Sequence, residues 1–203
     1  VDPANWPQQQ PALARDPATE QRIADLLTRM TLEEKVGQVI QADIDSVTPE
    51  QAREFNLGSI LNGGGSAPGK DLRGTPQSWL ELADAFWAAS TDTADGGVGI
   101  PAIWGTDAVH GHSKIVGATL FPHNIGLGAA HDPDLLYEIG RVTALEIRAT
   151  GLDWTFAPTI AVARNDRWGR TYESFGELPE LPAAMTTVVT GLQGSALDAP
   201  ASV

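Results

Sequence analysis

The segment Gly105-Thr-Asp107-Ala-Val-His110-Gly-His112 sets a carboxylate and two imidazoles on one short stretch of chain. His-x-His spacing can hold a divalent metal in barrel hydrolases, with carboxylates and a further histidine, here His123, completing the ligand set. Asp107 and the histidines can equally hydrogen-bond their own loop or a polar ligand. A second segment, Arg164-Asn-Asp166-Arg167-Trp168-Gly-Arg170-Thr-Tyr172-Glu173-Ser174, gathers three arginines, two carboxylates and two aromatics into eleven residues. Planar guanidinium forks match paired oxygens and aromatic faces suit the apolar face of a sugar ring, so this loop fits a polyhydroxylated ligand. The same residues could also form a self-satisfied ion network that braces a loop. Glycoside hydrolysis needs a nucleophile and an acid/base carboxylate flanking the scissile bond, and these segments nominate Asp107 and Glu173. Gly63-Gly-Gly65 is not followed by the Lys-Ser/Thr of a phosphate loop and reads as a turn.

These segments must be carried by regular elements. Residues 1–18, rich in Pro, Gln and Ala, read as an arm ahead of the fold, which occupies residues 19–203. From Thr19, the apolar residues Ile23, Leu26, Leu27 and Met30 recur at helical spacing, and Thr31-Leu-Glu-Glu34 is a capping box that opens another helix. Thr48-Pro49, Thr75-Pro76 and Asp132-Pro133 each place proline just inside a helix start. The helix after Thr75 sets Trp79, Leu82, Ala83 and Phe86 on one face, and the helix after Asp132 carries Leu135, Leu136, Ile139, Val142 and Leu145. A last helical stretch spans about Glu180 to Leu192.

Between the helices lie three apolar runs that read as strands: Gly58–Leu61, Ile100–Gly105 and Trp154–Ala157. Strands alternating with helices imply an α/β fold with a parallel sheet, either doubly wound or part of a (β/α)₈ barrel. In both, ligands meet the loops at the carboxyl ends of the strands, here the segments after Leu61, Gly105 and Ala157.

Composition removes other classes. With 13 Lys+Arg against 26 Asp+Glu, the 203-residue chain carries a formal charge of −13, the wrong sign for binding nucleic acid or an acidic membrane surface. No apolar run approaches the roughly 18–20 residues of a membrane helix. With no cysteine, disulfides, thiolate metal sites and cysteine nucleophiles are excluded. The 42% hydrophobic and 19% charged composition is that of a globular chain.

At these residues the chain resembles the N-terminal domain of glycoside hydrolase family 3, the β-glucosidase and exo-β-1,3/1,4-glucanase type. The resemblance runs through Arg29–Gln38, Gly58–Ser66, Gly105–Gly111, Gly117–Gly128, Ala144–Gly151, Phe156–Pro158 and Arg167–Ser174, in the family's order, over about residues 20–195. It implies the first part of a (β/α)₈ TIM-like barrel, about three strands and their helices. The implied activity is a retaining, exo-acting hydrolase of terminal β-D-glucosyl residues that uses no metal or other cofactor, with a β-glucoside or β-glucan as its partner.

By the same resemblance Asp107 and Arg170 bind hydroxyls of the terminal glucosyl unit, and Gly64 lets the sugar approach the backbone. Arg164, His110 and Glu173 are implied as supporting residues of that subsite. The family's Lys-His pair, nucleophilic aspartate and acid/base glutamate match nothing in these residues. The chain is therefore expected to be a partial barrel domain that is inactive alone, a non-catalytic sugar-binding piece. Leu178 stands where the family continues Glu-Asp, and Thr159, Ala163 and Thr171 stand where relatives with a loop disulfide carry cysteine. Export to the periplasm or beyond the cell is expected, since glucans are extracellular substrates.

Overall fold

The computed structural model describes Asn5, residues 15–94, residues 96–194 and residues 202–203. Most of the expected arm lies outside the described residues, but Pro17 and Ala18 already belong to the first helix, α1 (Pro17–Arg29). The Asp16 carboxylate accepts from the backbone N–H groups of Ala18 and Thr19, so Asp16-Pro17 is a start signal of the same kind as the other three. The apolar face of α1 stays half exposed, with Ile23 at 46% and Leu27 at 48%, and only Met30 beyond its end is buried.

Helix α2 (Leu32–Gln38) opens on the expected Thr31–Glu34 capping box. Strand β1 (Gln41–Asp43) and helix α3 (Pro49–Glu54) follow, the latter capped reciprocally by Thr48 and Gln51. Then come β2 (Ser59–Asn62), α4 (Pro76–Thr91), β3 (Ile103–Thr106), α5 (Asn124–Ala130), α6 (Pro133–Ala149) and β4 (Trp154–Thr155). Strand β3 starts three residues later than expected, beyond Pro101, which has no N–H to give a ladder.

The last helical stretch is two helices, α7 (Glu180–Ala184) and α8 (Thr187–Gln193). Between them the N–H groups of Thr186, Val188 and Val189 reach back three residues rather than four, which tightens the chain into a turn.

The sheet is parallel, in the order β1-β2-β3-β4. One strand more than expected is present: β1 has Ala42 as its only apolar residue and follows directly on Val39-Ile40, so it carries no alternation of its own. Ile60 and Trp104, register neighbours, are buried in one cluster with Ala52 of α3, Trp79, Ala83 and Phe86 of α4, and Ile147 of α6. One helix from each crossover, α3, α4 and α6, thus covers the same face. On the other face Ile103, Trp154 and Phe156 remain 39–49% exposed. A singly wound sheet with helices on one side is the layout of a barrel segment, whereas a doubly wound sheet would have helices on both.

A second buried cluster joins Leu127 of α5 and Leu136, Ile139 and Ala144 of α6 to Phe175, Met185, Val188 and Leu192. Helices α6 and α8 approach through glycines: a Cβ added at Gly140 would stand 2.3 Å from the Val188 carbonyl oxygen, and one at Gly191 2.1 Å from that of Tyr137. Gly140→Ala gains helix propensity of about 1 kcal/mol, but backbone meets backbone and the helices must separate. The variant is expected to lose a net 1–3 kcal/mol, roughly, by overpacking. Thermal melts check this, and an unchanged Tm would refute the close crossing.

Candidate functional site

The carboxyl ends of the strands lie side by side and carry the segments singled out in the sequence. Strand β1 ends at Asp43, β2 runs into Gly63–Gly65, β3 runs into Asp107, and β4 leads to the arginine loop. Asp43 accepts from the Gly63 N–H at 2.9 Å, from the Asp45 N–H at 2.9 Å, and from the Ser66 hydroxyl on both oxygens at 2.7 and 2.8 Å. Burial acts upward on this carboxyl, but the donors on Asp45, Ser66 and Gly63 together hold it below the ordinary aspartate value. From the segment after β3, Lys114 Nζ donates to the Gly64 carbonyl at 2.8 Å. Apart from their chain neighbours, no described residue has an atom within 4 Å of where a Cβ would stand on Gly64 or Gly65, so the space beside them is open.

The arginine loop is built around one ion pair. Arg170 Nε donates to Glu173 Oε1 at 2.8 Å and Nη2 to Oε2, the fork-on-fork arrangement that fixes a guanidinium in direction. The Arg170 side chain is 61% exposed and that of Glu173 only 11%. Thr159 Oγ1 also donates to Glu173 at 3.1 Å, and Asn124 Nδ2 donates to the Glu173 carbonyl at 2.7 Å. The Arg170 hydrogen bonds hold the Glu173 carboxyl below the usual glutamate value despite burial, with Thr159, the charge of Arg170 and Tyr172 adding to the effect. Glu173 is therefore occupied in holding Arg170.

The Arg170 pKa is raised, first by its hydrogen bond to Glu173 and by that residue's charge, and to a lesser degree by the charge of Asp107. Asp107 is exposed, stands within electrostatic reach of Arg170, and makes no hydrogen bond to a described residue. A free carboxylate and a braced guanidinium thus share the strand ends beside an open glycine loop. Such a pair can accept hydrogen bonds from hydroxyls on one side and donate them on the other.

The histidines divide. His110 Nδ1 lies 3.1 Å from the Phe121 carbonyl, its ring meets His123 edge-on at 4.0 Å, and His123 meets Tyr172 at 4.6 Å, so three rings link the β3 loop to the arginine loop. His112 is fully buried, with Nε2 2.8 Å from Thr150 Oγ1 and its ring edge-on to Trp79. Burial pulls its pKa down to about 4. The two imidazoles serve different surroundings and do not converge, which overturns the alternative of a metal-dependent hydrolase built on His110 and His112. Arg164 is exposed and makes no side-chain hydrogen bond or ion pair with a described residue, so it stands apart from the Arg170–Glu173 network.

Sequence reasoning missed Asp43, Ser66, Lys114, Asn124 and Thr159. Asp43 would have followed from recognising β1, whereas no local pattern marks the others. A polar cavity of about 370 Å³ opens at the amino ends of the strands, but Arg53 and Asp92 on its wall are paired with each other at 2.9 Å.

Residues 31–202 match the family model for the glycosyl hydrolase family 3 N terminal domain. The chain is 31% identical to the lysosomal beta glucosidase of Dictyostelium discoideum, over 85% of this chain and 22% of that protein. It is 32% identical to the periplasmic beta-glucosidase of Salmonella typhimurium, over 91% of this chain and 23% of that protein. Among solved structures, the exo-1,3/1,4-beta-glucanase of a Pseudoalteromonas species superposes with a TM-score of 0.86 at 53% identity, over 93% of this chain and 23% of the other. The chain thus spans about a quarter of the length of these relatives. With the one-sided parallel sheet, these matches place the chain in glycosyl hydrolase family 3, as its N-terminal domain.

Proposed function

We propose that this chain supplies the sugar-holding part of a retaining, exo-acting β-glucosidase or β-glucan glucohydrolase. The observation that supports the reading is that Asp107, exposed at the end of β3, stands within electrostatic reach of Arg170, which Glu173 holds in direction. A glucosyl unit placed there gives two hydroxyl hydrogens to Asp107 and receives donors from Arg170, whose direction Glu173 sets. The ring closes against Gly64 on the side where a Cβ would stand, which no described residue beyond its chain neighbours approaches within 4 Å. Asp107, Arg170 and Gly64 are the binding residues of this proposal, with Glu173 as support, His110 bracing through the ring chain, and Arg164 as an outlying contact.

In the retaining reaction one carboxylate attacks the anomeric carbon while a second protonates the leaving oxygen, and water then releases the glycosyl-enzyme. In this reading both carboxylates come from outside these 203 residues, which form a partial barrel domain. The names of the relatives support β-glucosides and β-glucans as substrates, and the periplasmic Salmonella relative supports an exported location.

The test is Asp107→Asn in the protein that carries this chain together with its catalytic carboxylates. Loss of a charged acceptor for two hydroxyls is expected to lower kcat/KM on an aryl β-glucoside about 100-fold. A wild-type value would remove Asp107 from the site and the reading with it.

A further inference from the structure

We infer that Lys114 is a positioning residue of this sugar site, fixing the Gly64 backbone at which the sugar closes. The inference rests on the functional reading above and adds to it a residue that lies in neither of the two segments marked by sequence.

Three successive glycines have more backbone freedom to lose than any other triplet, so a loop that must present its backbone to a ligand needs external restraint. The flanks have it: Asp43 takes the Gly63 N–H and the Ser66 hydroxyl, and the Ser66 N–H returns to the Gly63 carbonyl at 3.3 Å. Within the span itself, the Lys114 ammonium makes the only hydrogen bond that a described residue offers to Gly64 or Gly65. Lys114 has no carboxylate partner among the described residues, so its charge is committed to this neutral carbonyl.

Its own base is firm. The neighbouring residues His112 and Ile115 are buried, and the Ile115 N–H donates to the His112 carbonyl at 3.1 Å. Further along, Thr119 gives its N–H and hydroxyl to Glu146 of α6. The same segment begins with Asp107, so Lys114 sets the glycine loop in register with the carboxylate that would grip the sugar.

The expected signature is a split between binding and turnover. In the intact enzyme, Lys114→Met is expected to raise KM for an aryl β-glucoside and the inhibition constant for glucose about tenfold together, while kcat changes less than about threefold. Lys114→Arg, which keeps a cationic donor, is expected to recover most of that loss. Unchanged KM and inhibition constant in a folded Lys114→Met protein would overturn the inference. So would a fall in kcat at constant KM, or equal losses in the Met and Arg variants.

If Lys114→Met does not fold, Lys114→Gln, with an amide donor one atom nearer the backbone, is read the same way. An intermediate rise in KM supports the role, and a wild-type KM refutes it. Asp107→Asn measured in parallel separates the levels. If it is impaired while Lys114→Met is not, only the positioning role fails; if both bind normally, the sugar site itself is misplaced.

Discussion

Arg170→Ala is expected to lower kcat/KM on an aryl β-glucoside about 1000-fold and to lower Tm as well, in an enzyme that works as proposed. The side chain is 61% exposed, so removing it takes little packing from the core, but it leaves the Glu173 carboxylate, only 11% exposed, without its cation. What it removes is a pair of donors aimed in advance. Glu173 occupies Nε and one Nη and so fixes the plane of the guanidinium, leaving the remaining N–H groups directed away from the pair. Losing a charged donor pair that engages the sugar in the transition state lowers kcat/KM by the stated factor. Arg170→Lys is expected to restore little, because an ammonium cannot keep the two-point contact with Glu173 and still present a planar fork. Steady-state kinetics with thermal melts on both variants check this. Activity of Arg170→Ala within tenfold of wild type, in a folded protein, would show that the guanidinium does not touch the sugar.

Acid is expected to weaken the fold through His112. Burial holds its pKa at about 4 against an ordinary 6.5, so the neutral imidazole is the folded form. Above pH 6.5 the ring is neutral folded or unfolded and costs nothing. As pH falls from there, the unfolded chain takes up the proton first, and stability drains away until the folded ring also protonates near pH 4. Across that window the loss is about 3 kcal/mol. The measurement is the urea midpoint at about pH 7 and about pH 4.5, in the parent and in His112→Gln. The parent should lose stability on acidification and the variant markedly less. Equal slopes would mean that the imidazole titrates normally and is not sealed beneath Trp79 and Thr150. The depressed Glu173 carboxyl adds a loss of the same sign further down, as its pairing with Arg170 is protonated away.

The helix starts at Thr48, Thr75 and Asp132 were legible because proline behind Thr or Asp is a local signal, although Asp16-Pro17 reads as part of the arm, and the strands at Ser59, Ile103 and Trp154 showed as apolar runs. Strand β1 was not legible: its three residues pair with Ser59–Leu61 only once the sheet exists, and nothing apolar announces them. Helix α5 was missed for a related reason, since Gly126 and Gly128 argue against a helix locally. Yet a Cβ at Gly128 would stand 1.8 Å from the Phe175 carbonyl oxygen, so close docking decides in its favour.

In the site, Asp107, Arg170 and Glu173 could be nominated by type, but only the fold shows that Glu173 is spent on Arg170. Spacing alone made His110 and His112 look like one pair. One β-bridge, Val109 to Gly111, and a turn at Gly111 with φ of 73° separate them, and they end in different environments.

The two apolar clusters give the proposed site a mechanical role. The glycine loop and Asp107 are rooted in the cluster that holds Ile60 and Trp104, whereas Arg170 and Glu173 are rooted in the one that holds Phe175 and Leu127. A sugar gripped by both sets of residues ties together two buried clusters that already share helix α6, which gives Ile147 to one and Leu136 and Ile139 to the other. Its binding energy then opposes their opening relative to each other, so occupancy strengthens the coupling of their local unfolding. Substrate would be, for as long as it is bound, a structural member of the domain that holds it.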